Sequence, residues 1–251
     1  MQKYFISSDN LLENKITGDD AFHIKSVMRN RIGDVILVCD ESKTYKAKIV
    51  SILDKEVSFE IVEEIIGNHE LPVFVSIIQG YPKGDKLEDV IKHGTELGAY
   101  EFYPTIMKRS VFKLDPKKKD SKLLRFNKIA KEAAEQAHRD RVPKVIDICQ
   151  LKEIDFSKFD VKIICYEESA KNGELVEFKR AITSLKKDDK VAIIVGPEGG
   201  IDDSEIEYLK KQGFTPASLG KRILRTETVV FYCLSAIGYE IELEKWKRLD
   251  L

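Results

Sequence analysis

The sequence predicts an α/β protein in two parts: a small N-terminal β-barrel, then a larger α/β domain on a mainly parallel sheet. Three observations carry this. From Phe22 to Ile66 short alternating stretches are separated by turn residues, the pattern of short strands joined in a small barrel. After Leu71, nearly continuous apolar runs alternate with helical patterns, as strands buried on both faces alternate with crossover helices. Between the two, Gly67–Pro72 gathers Gly, Asn, His and Pro and interrupts both periods, which marks a linker. The expected domains are residues 1–70 and 71–251, a size that 251 residues with 43% apolar content can fill.

In the first part, Asp34–Cys39 reads as a strand, Asp40–Lys43 as a turn, and Tyr45–Val50 as an alternating strand. Asp54–Lys55 turns the chain again into Val57–Val62. In the second part, Val73–Ile78 is a buried strand. Asp85 and Glu88 have the spacing of a helix-opening capping box. Leu87, Val90, Ile91 and Gly94 then share one helical face, and Gly98 is the expected stop. A strand follows at Glu101–Thr105. The next helix, Arg125–Arg139, has Phe126, Ile129, Ala130, Ala133 and Ala137 on its buried side. Glu135 and Arg139 are four apart on it, in the favourable order for an ion pair. Val161–Tyr166 and Lys190–Val195 are two further buried strands. Asp202 with Glu205 forms a second capping box, flanked by Ile201 and Ile206 as a hydrophobic staple, and Gly213 ends that helix. A long helix from about Thr226 to Trp246 carries Val230, Phe231, Leu234, Ile237 and Ile241 as its apolar stripe.

Charge is high in amount, 34% of residues, but nets only −1. It is unevenly placed. Lys108–Lys144 holds thirteen Lys or Arg against five Asp or Glu, a net of +8. Such a stretch suits a polyanion, because each cation near a phosphate releases a counterion. Pro116–Asp120 within it reads equally as a solvated loop. Gln136, His138 and Arg139 place hydrogen-bonding groups at the end of a small-residue helix face, as a cleft requires. His23 reads first as a satisfied core or turn histidine. The four cysteines are widely spaced with no C-x-x-C, so neither a metal site nor a redox motif is expected, and free thiols fit a reducing cytoplasm. Met1–Asn10 has no basic start followed by an apolar core, and no apolar run is long enough to span a bilayer.

Two glycine-bearing loops near the C-terminus are the strongest chemical signal: Gly196–Pro197–Glu198–Gly199–Gly200, and Leu219–Gly220 through Ile223–Leu224–Arg225–Thr226–Glu227–Thr228. Glycine lets the backbone approach a ligand closely. Backbone N–H groups at a helix start bind phosphate. Here, however, neither G-x-x-x-x-G-K-[ST] nor G-x-G-x-x-G occurs, and Glu198, Asp202 and Asp203 oppose an anion. A ligand with an adenine and a cationic centre fits better. Main-chain groups of Leu219, Ile223 and Leu224 can read its edges while their side chains cover the ring.

The stretches G-P-E-G-G (Gly196–Gly200) and L-G-x-x-I-L-R-x-E-T (Leu219–Thr228) resemble the cofactor loops of the knotted SPOUT RNA methyltransferases. More closely, the chain resembles the ribosomal RNA small subunit methyltransferase E family. His23–Arg29 is similar to that family's H-x-x-x-V-L-R, with Met28 in place of leucine. Glu96–Leu97–Gly98, Arg109–Val111, Glu132–Gln136, Arg139 and Val142–Pro143 match further motifs, with Ala99 and Val229 as small departures. The resemblance implies an N-terminal PUA-like small β-barrel and a C-terminal α/β SPOUT methyltransferase domain with a trefoil knot. It also implies a cytoplasmic homodimer, S-adenosyl-L-methionine as cofactor, and methylation of uracil N3 in 16S rRNA of the small ribosomal subunit. The cofactor would then be held by Gly196, Pro197, Glu198, Gly199, Gly200, Leu219, Gly220, Ile223, Leu224, Arg225 and Thr226. Arg225 would stabilise charge, with Glu227, Glu198 or solvent as proton acceptor, and Arg29, Lys83, Arg109, Arg125 and Arg139 would position RNA phosphates. Two rival expectations are ribose 2′-O methylation by a related fold and a non-catalytic ribosome-assembly protein.

Overall fold

The alternating stretches form strands. The computed structural model describes residues 1–111, 115–167 and 176–245. Its chain divides into two units, Met1–Glu70 with Lys131–Val142, and Leu71–Ala130 with Pro143–Leu251.

In the first unit, β1 (Lys3–Phe5), β2 (Lys15–Thr17), β3 (Val35–Cys39), β4 (Thr44–Ile52) and β5 (Glu56–Ile65) form one sheet in the order β1-β3-β4-β5-β2. The three long strands fall where alternation put them; β1 and β2, three residues each, are too short to show a period. Ile36, Val38, Ala47, Ile49, Val57 and Phe59 share the buried face with Tyr4, Ile16 and Ile24. Register shifts at Lys46/Ala47 and Ile49/Ser51 bend β4 against β5. Two short helices, α1 (Ser8–Leu12) and α2 (Gly18–Phe22), link β1, β2 and the π-helical turn His23–Val27. His23 Nδ1 lies 3.1 Å from the Tyr4 hydroxyl, so this histidine is partnered within the unit.

The helix α4 spans Lys119–Gln136, starting six residues before the expected Arg125. Residues Lys131–Val142 group with the first unit rather than with the rest of 71–251. Charge pairing explains the grouping. Lys131 Nζ reaches Asp20 at 2.6 Å, Glu135 Oε1 accepts the Phe5 N–H at 3.0 Å, and Lys3 Nζ reaches Asp140 at 3.1 Å. The residues of the expected Glu135–Arg139 pair meet other partners: Glu135 pairs with Lys131 at 3.6 Å and Arg139 with Glu70. The helix ends at Gln136, and His138 takes a left-handed φ of 56°. Its N–H returns to the Glu135 carbonyl and that of Arg139 to Ala134, the closure usually made by glycine. Arg139 therefore leaves the helical spiral. It is 2% exposed and grips Glu70 through both Nε and Nη2.

In the second unit, β6 (Phe74–Gly80), β7 (Glu101–Ile106), β8 (Lys144–Val145), β10 (Val161–Cys165), β11 (Lys190–Val195) and β12 (Thr215–Ala217) form a sheet ordered β12-β10-β11-β6-β7-β8, with β9 (Cys149–Gln150) also on β7. Every pairing is parallel. Of the three expected buried strands, β6 and β11 are buried almost throughout, as continuous apolar runs require, and β10 only in part.

The accompanying helices are α3 (Lys86–Glu96), α5 (Glu177–Thr183), α6 (Asp203–Lys211) and α7 (Thr226–Gly238). The Asp85 capping box is absent: its side chain makes no cap bond, and Glu88 instead takes Arg125 Nη2 at 2.7 Å. The Asp202–Glu205 box is complete, and Ile201 and Ile206 share one buried cluster. On α7, Val230, Leu234 and Ile237 are buried and Phe231 packs edge-on against His93. The helix passes at Tyr239 into a π-helical turn that buries Ile241; Trp246 lies outside the described residues.

Burial pushes the Glu135 carboxyl up to about 7, and Lys131 at 3.6 Å does not cancel it. A carboxyl raised in the native state binds its proton there while the unfolded chain has lost it, so stability falls as pH rises through that window. Substituting Glu135→Gln keeps the acceptor for Phe5 and removes the charge. The variant's stability relative to the parent, from urea unfolding, is expected to rise by up to about 3 kcal/mol between about pH 5 and pH 8. A gap that does not move with pH would sink the argument.

Candidate active site

Because the sheet is wholly parallel, all strand C-termini lie at one edge, where ligands bind in such sheets. Both glycine loops leave from that edge. Val195 ends β11 and Ala217 ends β12, and both stand in register with Cys165, the last residue of the strand between them. The loops open onto a cavity of ≈ 720 Å³. Its lining includes all eleven residues expected to hold the cofactor, from Gly196–Gly200 and from Leu219, Gly220 and Ile223–Thr226.

The first loop is held from three sides. The buried Gln79 side chain donates to Thr226 Oγ1 at 2.8 Å and to the Gly196 carbonyl at 3.4 Å, and Thr226 donates to that carbonyl at 2.6 Å. Gly80 follows. A Cβ there would meet Pro197 Cδ at 2.5 Å and Pro197 N at 2.6 Å, so only glycine lets the G-P turn pass. Glu198 accepts Lys86 Nζ at 2.7 Å and the Lys83 N–H at 3.1 Å. Desolvation works against its charge, but the Lys86 ammonium and the Lys83 N–H outweigh it and hold the carboxyl below the usual carboxylate range. Arg109 reaches the Gly199 carbonyl at 3.5 Å and Asp202 at 3.6 Å.

The second loop ends at Arg225, the residue that opens α7, and its side chain caps nothing. Among the described residues Arg225 makes no ion pair: Lys86 takes Glu198 and lies 4.0 Å from Glu227. Glu227 stands outside the cavity lining. Its carboxylate is 16% exposed, and Oε2 is buried without a hydrogen-bond donor.

Of the five residues expected at RNA phosphates, Arg109 is in the cavity wall. Lys83 and Arg125 are exposed in the second unit, Arg125 paired with Glu88, and Arg29 is exposed in the first. Arg139 is a correction: buried and bound to Glu70, it faces the interior rather than a ligand. Lys86, Cys165, Tyr166, Asp203, Ser218 and Arg222 also line the cavity. Sequence reasoning had placed Asp203 beside the loop but missed the others, along with Gln79, which directly follows the expected strand Val73–Ile78.

Among the described residues no three His, Cys, Asp or Glu side chains are grouped to hold a metal ion, and no helix is long and apolar enough to cross a membrane.

Comparison with known proteins agrees with this geometry. Residues 69–238 match an RNA methyltransferase domain, and residues 16–62 an RNA methyltransferase PUA domain. The fold and site thus define an RNA methyltransferase that carries a PUA-type unit. Ribosomal RNA small subunit methyltransferase E of Bacillus subtilis (strain 168) is 44% identical over 251 residues, covering 97% of this chain and 98% of that protein. Its counterpart in Mesomycoplasma hyopneumoniae (strain 232) is 30% identical over 94% of this chain and 98% of that protein. A putative methyltransferase from Legionella pneumophila, solved with its bound cofactor SAM, superposes with a TM-score of 0.83 at 26% identity, covering 95% of this chain and 97% of that one. The chain belongs to the ribosomal RNA small subunit methyltransferase E family.

Two glycines separate crowding from backbone strain. Gly80→Ala forces Pro197 to move and is expected to cost about 3 kcal/mol in denaturant unfolding. Gly220 has φ +108 and open space around it, so Gly220→Ala is expected to cost only about 1 kcal/mol. Equal costs would mean that the Gly80–Pro197 approach is not tight.

Proposed function

We propose that the chain uses S-adenosylmethionine to methylate N3 of a uridine in 16S rRNA of the small ribosomal subunit. One observation carries the reading. Both glycine loops open onto one cavity, and Arg225 lines it with no carboxylate bound to its side chain among the described residues.

The cavity's volume is that of an ordinary small-molecule site, and its wall suits an adenosyl group with a cationic centre. Main-chain groups of Leu219–Leu224 offer donors and acceptors at adenine edges. Ile223, 79% exposed, gains by covering an apolar ring face. Acidic Asp203 and Glu198 tolerate a positive sulfur. When bound, the cofactor supplies an activated methyl group, and the protein supplies line-up and electrostatics.

Uracil N3 is protonated at neutral pH and lies on the Watson–Crick edge, so the base must leave any pairing before it reacts. Arg225 faces the negative charge that develops on the ring oxygens as the proton leaves. Of the two carboxylate candidates, Glu198 is a poor one, because Lys86 stabilises its ionised form. Glu227 stands outside the cavity lining, with Lys86 4.0 Å from its Oε2, so we assign the proton to solvent in the open cavity. Arg29, Lys83 and Arg125 take phosphates, while Arg109 braces the loop that its side chain touches. We take the trefoil knot from the family; the Gln79–Gly196–Thr226 tie joins the ends of β6 and β11 to the start of α7. Exposed Tyr232 and Tyr239 support pairing of two copies. A ribosomal substrate implies a cytoplasmic enzyme.

Deleting the gene should remove one 3-methyluridine from 16S rRNA, read by nucleoside mass spectrometry and by loss of a primer-extension stop. An unchanged uridine with a lost 2′-O-methyl group would point to ribose methylation instead. Arg225→Ala should lower kcat at least about 100-fold and leave calorimetric S-adenosylmethionine affinity nearly intact; if affinity disappears, Arg225 only shapes the loop. Lys83→Ala and Arg125→Ala should each reduce the salt slope of RNA binding by about one. Arg139→Ala should instead destabilise the fold by about 3 kcal/mol, since it breaks the pair that the buried Arg139 guanidinium makes with Glu70. A lowered salt slope in the folded Arg139→Ala protein would return that residue to the RNA interface.

A further inference from the structure

We propose that Cys165 and Cys233 are an oxidisable dithiol at the cofactor cavity, which a peroxide closes to a disulfide that weakens cofactor binding. The effect on binding rests on the reading of the cavity given above; the thiol chemistry does not.

The two sulfurs are 3.5 Å apart, the one sulfur–sulfur contact among the described residues. A disulfide needs about 2.05 Å, so the sulfurs must approach by roughly 1.5 Å. The positions make that approach consequential. Cys165 is half-buried, lines the cavity and ends β10. Its strand neighbours in register are Val195 and Ala217, the residues from which the two glycine loops depart. Cys233 is fully buried on α7, the helix that opens with Thr226 of the second loop. A bond between them ties the strand end central to both loops directly to the helix behind the second. In a close-packed interior such a shift is not absorbed locally.

Access sets the order of events. Cys165 meets solvent through the cavity, whereas burial holds the Cys233 thiol protonated, well above the ordinary thiol range. The Cys165 thiolate attacks one peroxide oxygen, forming an S–O bond as the O–O bond breaks, and the leaving hydroxide takes a proton to become water. The Cys233 sulfur then attacks the Cys165 sulfur. The S–S bond forms as the S–O bond breaks, and the Cys233 proton leaves with the hydroxide as a second water. Two thiols and one hydrogen peroxide thus give one disulfide and two waters. Cys39 and Cys149 have no such partner; Cys39 Sγ lies against the Asp140 carbonyl at 3.6 Å.

The test exposes the reduced full-length protein to hydrogen peroxide and traps remaining thiols with iodoacetamide in denaturant. Peptide mass spectrometry then reads the linkage, and calorimetry reads S-adenosylmethionine binding before and after. The expected result is a Cys165–Cys233 linked peptide that has lost two hydrogens, with affinity about tenfold weaker and restored by dithiothreitol. The linked peptide should be absent from Cys233→Ala, and from Cys165→Ser where the first variant folds poorly. Full alkylation of both cysteines, linkage through Cys39 or Cys149, or a linked peptide with unchanged affinity each overturns the proposal. Reduced protein that binds no S-adenosylmethionine yet forms the linked peptide supports the dithiol and overturns the cofactor reading.

Discussion

The Gly196 carbonyl is the point on which the site turns. It receives Thr226 Oγ1 at 2.6 Å and Gln79 Nε2 at 3.4 Å, and Gln79 also holds Thr226. Three separate stretches of chain, the end of β6, the first glycine loop and the first residue of α7, thereby meet in one buried polar group. Buried polar atoms are costly unless partnered, so this arrangement has few alternatives of equal energy. The parallel sheet brings the strand ends to one edge. The Gln79 amide fixes how the loops that leave that edge sit against each other.

In the first unit the same physics acts on full charges. Lys3 is 1% exposed and Arg139 2%, and each has a carboxylate partner, Asp140 and Glu70. Removing one member of such a pair leaves a buried charge alone, which costs far more than the pair contributes. This network gives Lys131–Val142 its place in the unit. It also changes the meaning of the basic stretch. Arg139 is internal, Lys131 binds Asp20 and Lys119 binds Asp147. Much of the +8 counted along Lys108–Lys144 is therefore compensated by acids elsewhere in the chain. The field offered to a polyanion is weaker than the local count, and it rests on the remaining exposed cations.

Legibility in the sequence followed the range of each interaction. Alternation and apolar runs report burial over five or more residues, so β3, β4, β5, β6, β7, β10 and β11 were visible. The three-residue β1, β2 and β12 and the two-residue β8 and β9 were not. Local signals held where nothing competed, as in the Asp202–Glu205 box. They failed where a distant partner offered more. Glu88 left its cap for Arg125, and Glu135 and Arg139 turned to Phe5 and Glu70. At the site, the loops announced themselves because glycine and proline are local signals. Lys86, Gln79 and Cys165 act through space on loops more than thirty residues away, and no spacing in the sequence encodes that.

Arg225 shows how a broken local rule can itself be informative. The position that opens a helix favours Ser, Thr, Asp or Asn, whose side chains bond the free N–H groups. A cation there meets the positive end of the helix dipole and costs a few tenths to about 1 kcal/mol. Arg225 holds that position on α7 without any capping bond, and its side chain stays exposed at the cavity. Thr226, the next residue, is spent on Gly196 instead. The uncapped N–H groups and the guanidinium then present positive potential from the same point. For the reaction proposed, this unfavourable arrangement in the empty protein becomes favourable once negative charge grows on the uracil oxygens. That difference between ground state and transition state is what accelerates a reaction, and a well-capped helix start would not supply it.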